Sequence, residues 1–216
     1  MPFKNRLDAG RRLAAALERY KAQQPVILAL PRGGVCVAAE VAAVLEAPLD
    51  LILVRKIGVP FQPELAMGAV VDGLAPVVVR NEDVIRAVGV AEADFEAACR
   101  SELKEIERRR ERYIGSRERA DVADRTAIVI DDGLATGATA RAALRATRAR
   151  KPKTLVLAIP VAPTDSLAEL CSEADDVVCL EDHEFFGAIG AYYADFRQVS
   201  DQEVIELLKR FPARKP

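Results

Sequence analysis

Tryptophan is absent, histidine occurs once as His183, and aromatic residues make up only 5% of the 216-residue chain. A single histidine leaves little from which to build a zinc site or a histidine-based nucleophilic triad. The four cysteines, Cys36, Cys99, Cys171 and Cys179, include no C-x-x-C pair and no metal-ligand spacing. Buried free thiols are therefore expected, Cys36 and Cys99 on apolar helix faces and Cys179 in a strand. No apolar run approaches the ~20 residues of a membrane span, and the opening Met-Pro-Phe-Lys-Asn-Arg lacks a signal-peptide core. The chain reads as cytoplasmic, with no membrane partner. Charge of one sign is missing too. Lys and Arg number 31 against 33 Asp and Glu, so the formal net charge of −2 offers no global attraction for nucleic acid. The local basic run 108–113 is interleaved with glutamate, and the basic residues in 141–153 complement a helix C-terminus. No nucleic-acid partner is expected.

What is present is a chain half apolar and 30% charged, enough for one α/β domain with a full core. Amphipathic spacing predicts helices over 5–20 and 92–113, the second through Phe95, Cys99, Leu103, Ile106 and Tyr113. Short apolar runs predict buried strands over 26–30, 49–54, 126–130, 154–159 and 176–180. Helices are expected between them over 34–46, 139–150 and 165–171, with a last one over 201–211. Residues 55–80 read as a long loop ending in a small hairpin, and the stretch from 181 reads as aromatic and irregular. Strand and helix alternate through the core, which predicts a doubly wound, mostly parallel sheet.

The most informative segment is Thr126-Ala-Ile-Val-Ile-Asp131-Asp132-Gly133-Leu-Ala135-Thr136-Gly137-Ala138-Thr139. A buried strand runs into two adjacent carboxylates, at the strand end where open α/β sheets bind ligands. Gly133 and Gly137 suit tight turns and close approach. Thr136 to Thr139 bring hydroxyls and free N–H groups to the start of a helix, a ready anion site. No lysine follows Gly137, so this is not a P-loop. An anchored phosphate would leave ribose hydroxyls in reach of Asp131 and Asp132, which points to ribose-5-phosphate recognition.

This window resembles the phosphoribosyl-pyrophosphate (PRPP) signature of type I phosphoribosyltransferases. The chain as a whole, with Arg55-Lys56-Ile-Gly-x-Pro and Tyr192-Tyr193-x-Asp195-Phe196, looks most like a bacterial group of predicted phosphoribosyltransferases. The resemblance implies that residues 1–216 form a single domain of this family, with a core over about 26–180. A small hood would follow from about 181–216, with 1–20 contributing. Arg32, Gly33 and Gly34 in Leu-Pro-Arg-Gly-Gly then resemble the pyrophosphate loop, the arginine supplying a planar fork for phosphate oxygens. Arg55 and Lys56 resemble the basic pair of a mobile catalytic loop that neutralises departing pyrophosphate. Glu64 in the same segment reads as a surface residue. Phe186 resembles the aromatic that stacks on an acceptor base, and Asp195 an acid that assists a metal.

The implied activity is Mg²⁺-dependent transfer of the 5-phosphoribosyl group from PRPP to a nitrogen nucleophile of the nucleobase class, releasing pyrophosphate. Asp131, Asp132, Arg32, Arg55 and Lys56 would be catalytic; Gly133, Ala135, Thr136, Gly137, Ala138 and Thr139 would bind substrate. Magnesium would be held chiefly by PRPP oxygens and water. Ala135 departs from 6-oxopurine enzymes, which often carry an aspartate there. A PRPP- or nucleotide-sensing regulator and a PRPP or nucleotide hydrolase remain open as alternatives, as does assembly into a homo-oligomer. Because the acids end a strand, their replacement is expected to remove ligand contacts and leave the fold intact.

Overall fold

The computed structural model describes residues 2–73 and 76–211. In chain order its strands are β1 Val26–Ala29, β2 Leu49–Leu51, β3 Val54–Val59, β4 Gln62–Val71, β5 Val77–Arg80, β6 Thr126–Ile130, β7 Thr154–Pro163 and β8 Asp176–His183. The helices are α1 Arg6–Leu17, α2 Gly33–Leu45, α3 Glu82–Val88, α4 Glu92–Tyr113, α5 Ala138–Ala149, α6 Thr164–Leu170 and α7 Asp201–Lys209. Five strands form a parallel sheet in the order β2-β1-β6-β7-β8. The chain leaves β1 toward β2 on one side and returns with β6 on the other. The crevice between the carboxyl ends of β1 and β6 is therefore the topological switch point, where such sheets bind ligands.

Side-chain alternation explains why these strands read as unbroken apolar runs. Ile27, Ala29, Ile128, Ile130, Val156 and Ala158 pack on one face with α2, α7 and much of α1 and α4. Val26, Leu28, Ala127, Val129, Leu155 and Leu157 pack on the other with α5. Both faces are covered, so neither set carries polar residues.

The segment 55–80 differs from the expected loop. β3, β4 and β5 form a separate antiparallel sheet, and α3 follows it. Gly58, Pro60 and Pro63 read locally as breakers, but the Gly58 region is a register irregularity and Pro60 lies between paired strands. Burying Ile57, Val59, Met67, Val70 and Val71 offsets the cost of ordering them. The second core strand ends at Leu51, short of the expected 54. β7 and β8 both run beyond expectation, pairing Val161 with Glu181, Ala162 with Asp182 and Pro163 with His183. Residues 181–183 are thus strand, and Pro160 sits inside β7 without ending it.

Part of the stretch expected to form a hood packs on the start of the chain. Phe3 bridges Tyr193, donating its N–H to the Tyr192 carbonyl at 2.8 Å, and packs with Ala9, Val161 and Tyr193. α7 belongs instead to the core: a Ser200–Glu203 capping box starts it, and it buries Val204 and Leu208 against the main cluster. The cysteines are free, but only Cys99 is buried; Cys36 and Cys179 are half-buried and Cys171 is exposed.

Candidate active site

A cleft of about 700 Å³ opens over the switch point. Its walls include Arg32 and Gly33 after β1, Asp131 and Asp132 after β6, Thr139 of α5, and Arg55 and Lys56 of β3. Three separately predicted segments therefore meet in one place. α4 supplies a further wall through Ala98, Ser101 and Glu102, residues that the sequence did not single out.

The two acids differ in environment. Asp132 is buried, its Oδ2 accepting from Arg6 Nε at 2.6 Å. The Tyr193 hydroxyl donates to the Asp132 carbonyl at 2.5 Å, and burial keeps that phenol protonated far above its ordinary range. Asp131 keeps part of its surface open to the cleft but is packed by protein elsewhere; its Oδ1 accepts the Asp132 N–H at 2.8 Å. Burial, then the neighbouring charge of Asp132, raises the Asp131 carboxyl well above the usual carboxylate range. Replacing both acids would remove more than ligand contacts, since Asp132 is one half of a nearly buried ion pair.

The glycines bring the two loops together. A Cβ at Gly34 would lie 2.8 Å from Asp131 Cα and 2.9 Å from the Ile130 carbonyl oxygen, so only glycine lets the β1–α2 loop reach β6. Gly133 lies beneath Ile189. Gly137 adopts φ +71° and precedes α5 with no side-chain cap, which leaves the first N–H groups of that helix unclaimed by a capping side chain. Ala135, Thr136, Ala138 and Thr139 are exposed around it, and the Ala135 carbonyl accepts from Ser166 Oγ at 2.8 Å. Uncapped N–H groups and the helix dipole at this point favour negative charge.

Each cation of the cleft faces a carboxylate. Arg55 Nε lies 2.6 Å from Glu102 Oε2, Arg32 Nη1 3.6 Å from Asp201 Oδ1, and Lys56 Nζ 4.0 Å from Glu64 Oε2. Asp201 is held below the ordinary carboxylate range, first by the Tyr113 hydroxyl and then by Arg112, Arg32 and Arg109. Glu64 is 98% exposed, the surface residue expected, so its contact with Lys56 is weak. The basic runs are similarly matched: Arg108 and Arg109 meet Glu105, while Arg141, Arg145 and Arg148 meet Glu169, Glu173 and Asp175.

Two expected roles are not supported by position. Phe186 is not on the cleft wall; it stacks on Tyr192 at 4.8 Å, and Tyr192 in turn packs on His183 at 4.5 Å. One face of its ring is thus taken by Tyr192, away from the cleft where base stacking was expected. Asp195 lines a different cavity of about 360 Å³ with Asn5, Cys36 and Glu203, and accepts the Arg197 N–H. Among the described residues no three His, Cys, Asp or Glu side chains gather to hold a metal, and Asp195 lies outside the cleft that holds Asp131 and Asp132. Among the described residues, too, no helix is long and apolar enough to cross a membrane.

A family model for the phosphoribosyl transferase domain matches residues 3–197. "Putative phosphoribosyl transferase Rv0571c" of Mycobacterium tuberculosis H37Rv is 48% identical over 208 residues, covering 96% of this chain and 46% of the relative. Its counterpart in strain CDC 1551 matches equally. The chain thus spans about half the length of these relatives. The crystal structure of TT1426 from Thermus thermophilus is 39% identical with a TM-score of 0.84, covering 98% of this chain and all of that one. On the matched length, the shared fold and an acid pair beside an uncapped helix at the switch point, the chain belongs to the phosphoribosyl transferase domain family.

Proposed function

We propose that the protein transfers the 5-phosphoribosyl group from PRPP to a nitrogen nucleophile of the nucleobase class, releasing pyrophosphate. The observation that carries this reading is one cleft in which an uncapped helix start, two carboxylates and three cations converge. The start of α5 takes the 5-phosphate, Asp131 and Asp132 accept from the ribose hydroxyls, and Arg32, Arg55 and Lys56 receive the pyrophosphate. Positive charge develops on the ribose ring in the transition state, so adjacent carboxylates offset it, while the cations stabilise the leaving group. Hard carboxylate oxygens beside an anion site fit magnesium brought in by PRPP, and no protein cage is needed for it. Such an ion would neutralise pyrophosphate oxygens as they depart.

The deciding experiment is labelled PRPP with Mg²⁺ and a panel of nucleobases, read as nucleotide and pyrophosphate. Pyrophosphate release that depends on one base establishes transfer. Release that ignores the base identifies a hydrolase, and PRPP binding without release identifies a sensor. PRPP with Mg²⁺ should also raise the melting temperature, by about 2.7 kcal/mol of stabilisation at a hundredfold excess over Kd. An unchanged melting temperature at saturating PRPP defeats the reading.

Arg55→Ala should lower turnover more than PRPP affinity. Arg55 is already satisfied by Glu102 at 2.6 Å, so its gain comes chiefly when charge grows on the leaving group. A loss of ~2–4 kcal/mol in the barrier is expected, by analogy with removing a preorganised oxyanion donor. Turnover measured beside a direct PRPP Kd checks this. A collapse in affinity with turnover intact would make Arg55 a simple binding residue.

A further inference from the structure

Each signature acid has one oxygen already committed within the protein. Asp131 Oδ1 accepts the Asp132 N–H at 2.8 Å, and Asp132 Oδ2 accepts from Arg6 Nε at 2.6 Å. The Arg6–Asp132 pair is nearly buried, its side chains 11% and 12% exposed. Arg6 is in turn gripped by the tail: Nη1 donates to the Arg197 carbonyl at 2.8 Å, and the guanidinium carbon lies 3.8 Å from the centre of the Phe196 ring. Gly33 closes the remaining side, since a Cβ there would lie 1.8 Å from Asp132 Oδ2 and 2.9 Å from Arg6 Nε. The first helix and the tail thus hold an acid that belongs, by sequence, to the middle of the chain.

We propose that Arg6 is a positioning residue that acts through Asp132, taking up Oδ2 so that the remaining oxygens, Asp132 Oδ1 and Asp131 Oδ2, serve as a matched pair of acceptors for two neighbouring ribose hydroxyls. The inference rests on the phosphoribosyl reading above. A vicinal diol offers two O–H donors a bond apart, and two carboxylates with all four oxygens free would present no single arrangement to it. Committing one oxygen of each removes that freedom before the ligand arrives, and preorganisation of this kind appears as affinity. The guanidinium has a second effect, because two carboxylates on consecutive residues repel, and a cation on one of them eases their coexistence. Arginine is required for the full role: its planar fork serves Asp132 through Nε and Arg197 through Nη1 at once, whereas lysine supplies only a point charge.

The test is a double-mutant cycle between Arg6→Ala and Asp132→Asn, with Arg6→Lys alongside. Dissociation constants are measured for PRPP with Mg²⁺ and, as a probe without the ribose, for pyrophosphate with Mg²⁺. Arg6→Ala should weaken PRPP roughly tenfold, a typical coupling between contacting groups, and leave pyrophosphate within about twofold. Arg6→Lys should fall between Arg6→Ala and the unaltered protein. In the Asp132→Asn background, Arg6→Ala should change PRPP binding by less than about threefold, because no acid remains to be placed. Additive losses in the cycle, equal losses for PRPP and pyrophosphate, or an unchanged PRPP constant in Arg6→Ala each overturn the inference. Should Arg6→Ala not fold, Arg6→Lys carries the same comparison: a selective loss for PRPP supports the role and an unselective one refutes it. An unaltered protein that binds pyrophosphate but not PRPP overturns the phosphoribosyl reading itself, an outcome seen before any variant is made.

Discussion

Asp131→Asn should cripple transfer and at the same time make the free protein more stable at neutral pH. The functional half follows from position: Asp131 faces the cleft, and an amide neither offsets ring charge nor offers the same pair of acceptor oxygens. A fall in turnover of about 10²–10³-fold is expected, the scale seen when one preorganised electrostatic group is removed. The stability half follows from the raised carboxyl. Burial and the Asp132 charge make the folded protein hold the Asp131 proton more tightly than the unfolded chain does. The stabilisation from that proton is fully present below the ordinary value of 3.8 and is lost as pH rises through the raised folded value. Asparagine never ionises and can still accept the Asp132 N–H. The melting-temperature difference between variant and parent should therefore grow in favour of the variant as pH increases from about 4, then level off. Melting curves across pH decide the matter. A difference that is flat with pH, or a variant less stable at pH 7, would show that the surroundings do not raise the Asp131 carboxyl.

Gly34→Ala should damage both stability and PRPP binding. Its added methyl meets Asp131 Cα at 2.8 Å and the Ile130 carbonyl oxygen at 2.9 Å, both backbone atoms at the end of a central strand. Neither moves without shifting β6 or the start of α2. Overpacking of this kind costs about 1–3 kcal/mol, or roughly 2–4 °C in melting temperature for each kcal/mol in a chain of this size. The displaced loop should also carry Arg32 away from the cleft. Gly187→Ala is the matched control, since nothing lies within 4 Å of a Cβ there. Equal melting temperatures for the two variants would show that the β1–α2 loop has slack that the packing does not suggest.

The reach of sequence reasoning is clearest at the edges of elements. α4 appeared over its full length because five apolar residues at helical spacing stand against a charged background, a signal contained within one helix. β3 was hidden because its pairing partner, and not its own composition, makes it a strand. Gly58, Pro60 and Pro63 break the local pattern, and only burial of Ile57 and Val59 beneath the neighbouring layer offsets that. The continuation of β7 through Pro160 was hidden for the same reason, since pairing of Val161 and Ala162 with β8 holds it in place. Phe186 shows the converse: no local pattern announced that this aromatic stacks on Tyr192.

The doubly wound core, the two loops at strand ends and the residues proposed to face phosphate and ribose were all legible in the linear chain. The loops and their residues depend on strand running into turn and helix within one short stretch, where local chemistry and local geometry are one. The core showed in the alternation of strand and helix, although its pairing joins Val26 to Ala127. Three features came instead from packing: the basic pair rides on a strand, α7 belongs to the core, and Arg6 holds Asp132. That last contact joins residues 126 positions apart, and Arg6 is one of 31 Lys and Arg residues with nothing in its neighbourhood to distinguish it. An ion pair is chosen by which side chains packing brings within a few ångströms in a site closed to water, and no run of neighbouring residues records that choice.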